Sequence, residues 1–105
     1  MTDAVVILTT LPADDRGEAI GQALVDERLA ACVNLLPPMI SIYRWRGAVE
    51  RESERQVIIK TSRARVPALQ ARLAALHPYE LPEFIVLAVA DGGAAYLQWI
   101  LESSS

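Results

Sequence analysis

Few side chains in this 105-residue sequence offer chemistry beyond ordinary surface charge: one cysteine (Cys32), one histidine (His77) and one lysine (Lys60), the other nine cations being arginines. Nucleophilic catalysis needs a thiol or hydroxyl activated by a neighbouring base, and no Gly-x-Ser-x-Gly segment surrounds any serine. No activated nucleophile or acid-base pair is visible, so the sequence reads as that of a protein that is not an enzyme. Cys32 sits in Ala30-Ala31-Cys32-Val33-Asn34, where a free cysteine ordinarily packs as a small hydrophobe. A closed zinc site takes about four ligands and a catalytic one about three. One thiol and one imidazole at no recognised spacing exclude a zinc-finger-type site. They leave a metal site shared between subunits, or a weak, partly solvated one of His77, Glu80, Glu83 and water. His77 directly precedes Pro78 at a predicted helix end, where an imidazole also serves to cap carbonyls.

Lys60 lies between Ile59 and Thr61 on a predicted central strand, so burial there implies an anionic partner. Glu50, Glu52 and Glu54 recur every second residue and share one face of that strand, with Arg51 and Arg55 on the other; they read as a solvated face. Tyr43 and Trp45 share a face of an adjacent strand and read as interface anchors rather than base-stacking platforms, given the acidic balance. Gly92-Gly93 ahead of a helix lacks both a dinucleotide fingerprint and a P-loop.

The elements that position these residues follow from the hydrophobic pattern. Residues 4–8 form a β-branched strand closed by Thr9, Thr10 and Pro12. Asp15 and Glu18 have capping-box spacing, and Ile20, Leu24, Val25 and Leu29 recur with helical period, which predicts a helix to about Leu29. Gly17 and Gly21 on it would permit close packing on a sheet. From Ala31 to Trp45 the pattern is extended, with a bulge or break and an edge position imposed by Pro37-Pro38. Gly47 marks a hairpin, and the return strand Val49–Thr61 begins polar and becomes apolar at Val57, Ile58 and Ile59. Its first half projects beyond the core as a two-stranded arm, which is marginal in isolation and wants a partner. Pro67 opens a second helix carrying Leu69, Leu73 and Leu76, Pro78 ends it, residues 84–90 make a last strand, and Tyr96 to Leu101 make a short closing helix.

Strand-helix-strand-strand-helix-strand is the split βαβ order, an α+β ferredoxin-like fold (βαββαβ) with a long hairpin between its second and third strands and a short C-terminal helix. Strands one and three are then central. A last strand as apolar as residues 84–90 on an open edge calls for the closing helix or a neighbouring subunit to cover it, so edge and arm together predict a homo-oligomer.

Length and composition agree with one domain over residues 1–105: 52% hydrophobic and 22% charged residues suffice for a core without disulfide or metal staples. The net charge of −3, with cations scattered among thirteen acids, excludes a nucleic-acid footprint. No apolar run approaches the ~20 residues that span a bilayer. A lone cysteine and an N-terminus without a basic-plus-apolar leader point to the cytoplasm.

At Ala30-Ala31-Cys32-Val33-Asn34, Ser41-Ile42-Tyr43-Arg44-Trp45-Arg46-Gly47, Ile59-Lys60-Thr61, His77-Pro78-Tyr79-Glu80-Leu81-Pro82-Glu83 and Tyr96-Leu97-Gln98-Trp99, the chain resembles the CutA divalent-cation tolerance proteins. The resemblance spans nearly the whole chain in order and spacing. It implies a ferredoxin-like fold, a tightly packed homotrimer joined through sheet edges with Tyr43, Trp45 and Trp99 at the interface, and a link to copper and other divalent cations. Thr9 and Leu76 stand where some bacterial relatives have a cysteine and a further histidine, which leaves His77 and Cys32 as the metal ligands implied. The trimer is also similar to that of PII signalling proteins, whose inter-subunit clefts bind small effectors; here such a cleft would gather Lys60, Tyr79, Glu80, Glu83 and Trp45.

Overall fold

The computed structural model describes residues 2–105. The long β4 (Ala48–Ser62) and β1 (Ala4–Pro12) form the centre of a five-stranded sheet. β5 (Ile85–Ala88) pairs with β1, while β2 (Cys32–Leu35) and β3 (Met39–Trp45) pair in succession with β4. Every pairing is antiparallel, with Ile7 opposite Ile59 at the centre. This is the α+β arrangement expected, central strands included.

Alternation assigns the two faces. Ile7, Leu11, Val57 and Ile59 point to one side and meet Ile20 and Leu24 of α1 (Arg16–Asp26) and Leu69 and Leu73 of α2 (Val66–Leu76), forming the main core. Gly21 makes the α1 contact possible, since a Cβ there would lie 3.2 Å from Val33 Cγ1. On the opposite face, α3 (Ala94–Ser103) covers only one end, packing Ile100, Leu97 and Leu101 on Ala4 and Ala31.

Several boundaries differ from the sequence expectation. β1 does not close at Thr9: Thr9 to Pro12 continue the ladder opposite Val57 to Glu54, because the longer β4 offers them partners. α1 ends at Asp26 rather than Leu29, because Arg28 turns to φ +60° and the amides of Leu29 and Ala30 fold back onto the Leu24 carbonyl. The Arg28 guanidinium offsets part of that strain by donating to the carbonyls of Glu102, in the last turn of α3, and of Ser105 just beyond it. The Asp15–Glu18 capping box does not form, since Asp15 itself has helical dihedrals; Asp14 Oδ1 accepts the Arg16 amide instead, at 3.0 Å. The Pro37-Pro38 break splits the expected second strand into β2 and β3, and Arg55 Nε donates to the Leu36 carbonyl left free beside it.

β3 and the first half of β4 form the arm, joined by a two-residue turn with positive φ at both Arg46 and Gly47, the type I′ geometry that matches strand twist. β5 is four residues, shorter than the 84–90 expected, and α3 does not cover it: Ile85, Val86 and Leu87 stay exposed. Ile40, Ile42 and Val49 are likewise exposed on one face of the arm.

Candidate functional site

Pro78 sets the site. It bars helical dihedrals at the preceding residue, so His77 is extended (φ −75°, ψ 132°) and ends α2. The chain then turns back across the sheet, and residues 78–85 form one wall of a groove whose other wall is the arm. The groove is open to solvent, has a volume of about 1020 Å³, and is lined on the arm side by Met39, Ser41, Tyr43, Arg44, Trp45, Glu50, Glu52 and Glu54.

His77 lies beneath the floor, buried, its Nε2 2.8 Å from the Thr10 carbonyl and its Nδ1 accepting the Tyr79 amide at 3.2 Å. That pattern requires a neutral ring protonated on Nε2, and burial pushes its pKa below the ordinary histidine value. The ring also packs on Tyr79, centroid to centroid 4.8 Å. Both nitrogens are thus engaged in holding the turn to β1.

Tyr79 donates its hydroxyl to Glu54 Oε1 at 3.2 Å. Burial first, and the Glu54 carboxylate second, push its pKa well above the phenol range, so it remains a donor throughout the accessible pH range. Tyr43, across the groove, is pushed up in the same way, by desolvation and then by Glu52 and Glu50. Gln56 bridges the floor and the wall, donating to the Thr9 carbonyl (2.8 Å) and to Glu83 Oε2 (2.9 Å). At the arm tip, Arg46 Nη2 lies 2.8 and 2.9 Å from the two oxygens of Glu80, and its guanidinium stands 5.0 Å over the Trp45 ring. This exposed ion pair ties the tip to the loop.

Of the five residues expected in one ligand cleft, Trp45, Tyr79, Glu80 and Glu83 line this groove and Lys60 does not. Lys60 stands six residues further along β4 than Glu54, a displacement of about 20 Å at strand rise. It is half-buried, donates from Nζ to the Tyr96 hydroxyl at 3.2 Å, and lies 5.5 Å from that ring. The hydrogen bond to Tyr96 raises its pKa, so the partner expected to be an anion is a phenol. Cys32 sits opposite Lys60 on β2, half-buried rather than part of the core because the edge strand is uncovered there; its thiol is 3.7 Å from Asn34 Oδ1. His77 and Cys32 therefore lie at different parts of the sheet, one under Thr10 and the other beside Lys60, and do not meet within the chain. Among the described residues no three His, Cys, Asp or Glu side chains converge as a metal group.

Tyr43 and Trp45 line the groove, while Trp99 stacks 5.4 Å from Tyr96 on the exposed side of α3. Sequence reasoning passed over Glu54, Gln56 and Tyr96. The alternation Glu50-Glu52-Glu54 was the available signal for the first, but it read as a solvated face; only the fold-back after Pro78 buries its last member.

The comparisons with known proteins agree with this architecture. Residues 5–103 match the model of a family described as CutA1 divalent ion tolerance protein. The chain is 44% identical over 99 residues to the divalent-cation tolerance protein CutA of Thermus thermophilus, covering 94% of this chain and 96% of that one. It superposes on the crystal structure of CutA from Xylella fastidiosa with a TM-score of 0.95 and 45% identity, covering 99% of this chain and all of the other. It is also 46% identical over 91 residues to the human protein CutA, of which that match spans about half (51%). The family is named for tolerance of divalent ions and not for a reaction. The order of elements, the long arm and the full-length identity together place this chain in the CutA1 divalent ion tolerance family.

Proposed function

We propose that this chain acts in divalent-cation tolerance as a cytoplasmic homotrimer that binds copper or a related divalent ion weakly, at sites completed between subunits. The observation that carries the assembly is the uncovered apolar surface: Ile85, Val86 and Leu87 on the open edge strand, Ile40, Ile42 and Val49 on the arm, and Trp99 on α3 are all exposed. Open edges and apolar faces of this kind call for a partner chain. Cyclic pairing of the arm of one copy with the β5 edge of the next would satisfy both. Within such an assembly Cys32 is the soft donor left accessible, with carboxylates of a neighbouring copy completing its coordination. His77 contributes by positioning the 77–85 turn, because its nitrogens are already engaged. The lone cysteine, unable to form an internal disulfide, supports a reducing compartment.

Native mass spectrometry of the purified, untagged protein titrated with Cu(II) and Zn(II) tests this. Trimers taking up three ions in integral steps support it. A stable monomer at micromolar concentration removes the assembly, and trimers that stay bare remove metal binding.

A second reading, small-molecule sensing at an inter-subunit cleft in the manner of PII proteins, is favoured by Lys60. Its ammonium has a phenol and a ring but no carboxylate within salt-bridge distance among the described residues, on a sheet face that α3 covers only in part. An anionic metabolite is the ligand it would take, and Lys60→Ala should abolish ligand-induced thermal stabilisation while leaving the trimer intact.

A further inference from the structure

α3 is fastened differently at its two ends. At the C-terminal end Ser104 is fully buried. Its hydroxyl donates to the Ile100 carbonyl at 2.7 Å, and its own carbonyl accepts from Ser62 Oγ (3.2 Å) and Arg65 Nε (3.0 Å). Arg28 adds bonds of 2.8 and 2.9 Å to the carbonyls of Ser105 and Glu102. Two segments distant in sequence thus close on this end, and their guanidinium groups suit the outward carbonyls of a helix C-terminus.

At the N-terminal end, the one side-chain hydrogen bond joining residues 89–97 to the sheet is that from Lys60 Nζ to the Tyr96 hydroxyl, 3.2 Å long and open to solvent. Of the helix only Ile100 is buried, and with Leu97 and Leu101 it rests on Ala4 and Ala31, whose side chains offer little apolar area. Gly93, the N-cap, provides no side-chain cap. Its dihedrals (φ −64°, ψ 124°) are ones any residue adopts, and a Cβ there would meet nothing within 4 Å. Neither space nor dihedrals therefore require glycine; what it supplies is backbone freedom at the point where the chain enters the helix. Local opening begins where buried apolar contacts and shielded hydrogen bonds are fewest, which here is the first turn of α3. Trp99 lies on the exposed side of the same helix, so a neighbouring copy seated there presses the helix onto the sheet.

We propose that α3 is a hinged strap: it lifts from its N-terminal end, with Gly93 as hinge, the Lys60–Tyr96 hydrogen bond as catch and the Ser104 clamp as pivot, and a neighbouring copy seated on Trp99 holds it closed. Each opening frees the Lys60 ammonium from its phenol partner, so assembly governs the state in which Lys60 meets an anion. The closure by a neighbouring copy rests on the assembly reading; the hinge and the catch do not. Hydrogen exchange of the full chain, read by mass spectrometry, tests the proposal, with sedimentation giving the mass of each sample. Ile42→Glu charges the arm and leaves α3 untouched. In that variant the amides of Leu97 to Leu101 should exchange faster than in the assembled parent, and faster than those of Val5 to Leu8 at the sheet centre. In the same background Tyr96→Phe and Lys60→Met should each speed α3 exchange several-fold, and the double variant no more than either alone, because all three remove one catch. Gly93→Ser should slow it about two- to fivefold, through a stiffer hinge and a side-chain cap. Exchange of α3 as slow as that of Val5 to Leu8, an additive double variant, or an unchanged rate in Gly93→Ser overturns the hinged strap. A species of lower mass whose α3 exchanges no faster than the assembled parent overturns the closure by a neighbouring copy. If Ile42→Glu keeps the parent's mass, the assembly reading fails and that closure with it, while the catch and hinge variants, made in the parent, decide the strap by the same outcomes.

Discussion

Replacing His77 by alanine separates a structural histidine from a metal ligand. The substitution deletes the contact to the Thr10 carbonyl at 2.8 Å and the acceptor for the Tyr79 amide at 3.2 Å, and it empties the space against the Tyr79 ring. Two backbone groups at the floor of the groove lose their partners, each worth about 1–3 kcal/mol when left buried. Partial access of water reduces this, and the expected loss is about 2–4 kcal/mol of folding stability at neutral pH. The pH dependence supplies a second signature. Burial holds the folded-state pKa of His77 below its ordinary value of 6.5, so below that pH the unfolded chain binds more protons than the folded one. The stabilising contribution is therefore complete above about pH 6.5 and fades as the pH falls through the folded-state pKa. The slope attributable to this one group is at most about 1.4 kcal/mol per pH unit. Urea unfolding at fixed protomer concentration, in EDTA, at pH 7.5 and 5.0 measures both effects, protomer concentration being held constant because assembly shifts apparent stability. His77→Ala should be less stable at pH 7.5 and closer to the parent at pH 5.0. Equal stability at pH 7.5 without metal, or a gap that does not narrow on acidification, refutes the structural role. Loss confined to Cu(II)-induced stabilisation would return His77 to metal ligation.

Three further outcomes follow from the packing. Ile42→Glu places a charge on the exposed aliphatic face of the arm and should shift sedimentation at about 10 µM toward a smaller species with unchanged far-ultraviolet circular dichroism; an unchanged mass would show that this face is not an interface. Leu24→Ala empties a fully buried site beneath the sheet and should cost about 2–5 kcal/mol in chemical denaturation, whereas a loss below about 1 kcal/mol would mean that α1 is not packed as described. Gly47→Val forces a β-branched residue into φ +83° with open space around it, so the destabilisation of about 1–2 kcal/mol should come from backbone strain alone, and Gly47→Asn should recover most of it.

The sequence by itself determined the elements and their order. Period-2 and period-3.6 hydrophobic patterns, Pro37-Pro38, Gly47 and Pro78 act within a few residues of where they stand, and the sheet order follows from the split βαβ connection. It also determined that residues 84–90 are apolar and need cover, whereas only the structure showed that α3 packs on Ala4 and Ala31 and leaves Ile85, Val86 and Leu87 exposed. What lay outside its reach depended on contacts between distant segments. β1 runs to Pro12 because β4 is long enough to pair with it, and α1 stops at Asp26 where Arg28 meets the end of α3. Glu54 is buried because a turn 25 residues later brings Tyr79 over it, while Glu50 and Glu52 in the same alternation remain nearer solvent. Lys60, Tyr79, Glu80, Glu83 and Trp45 were brought together by the family resemblance, and only the fold divides them between two ends of the sheet. A residue's type and parity are local properties, whereas its neighbours and its solvation are set when the 77–85 turn closes on the arm.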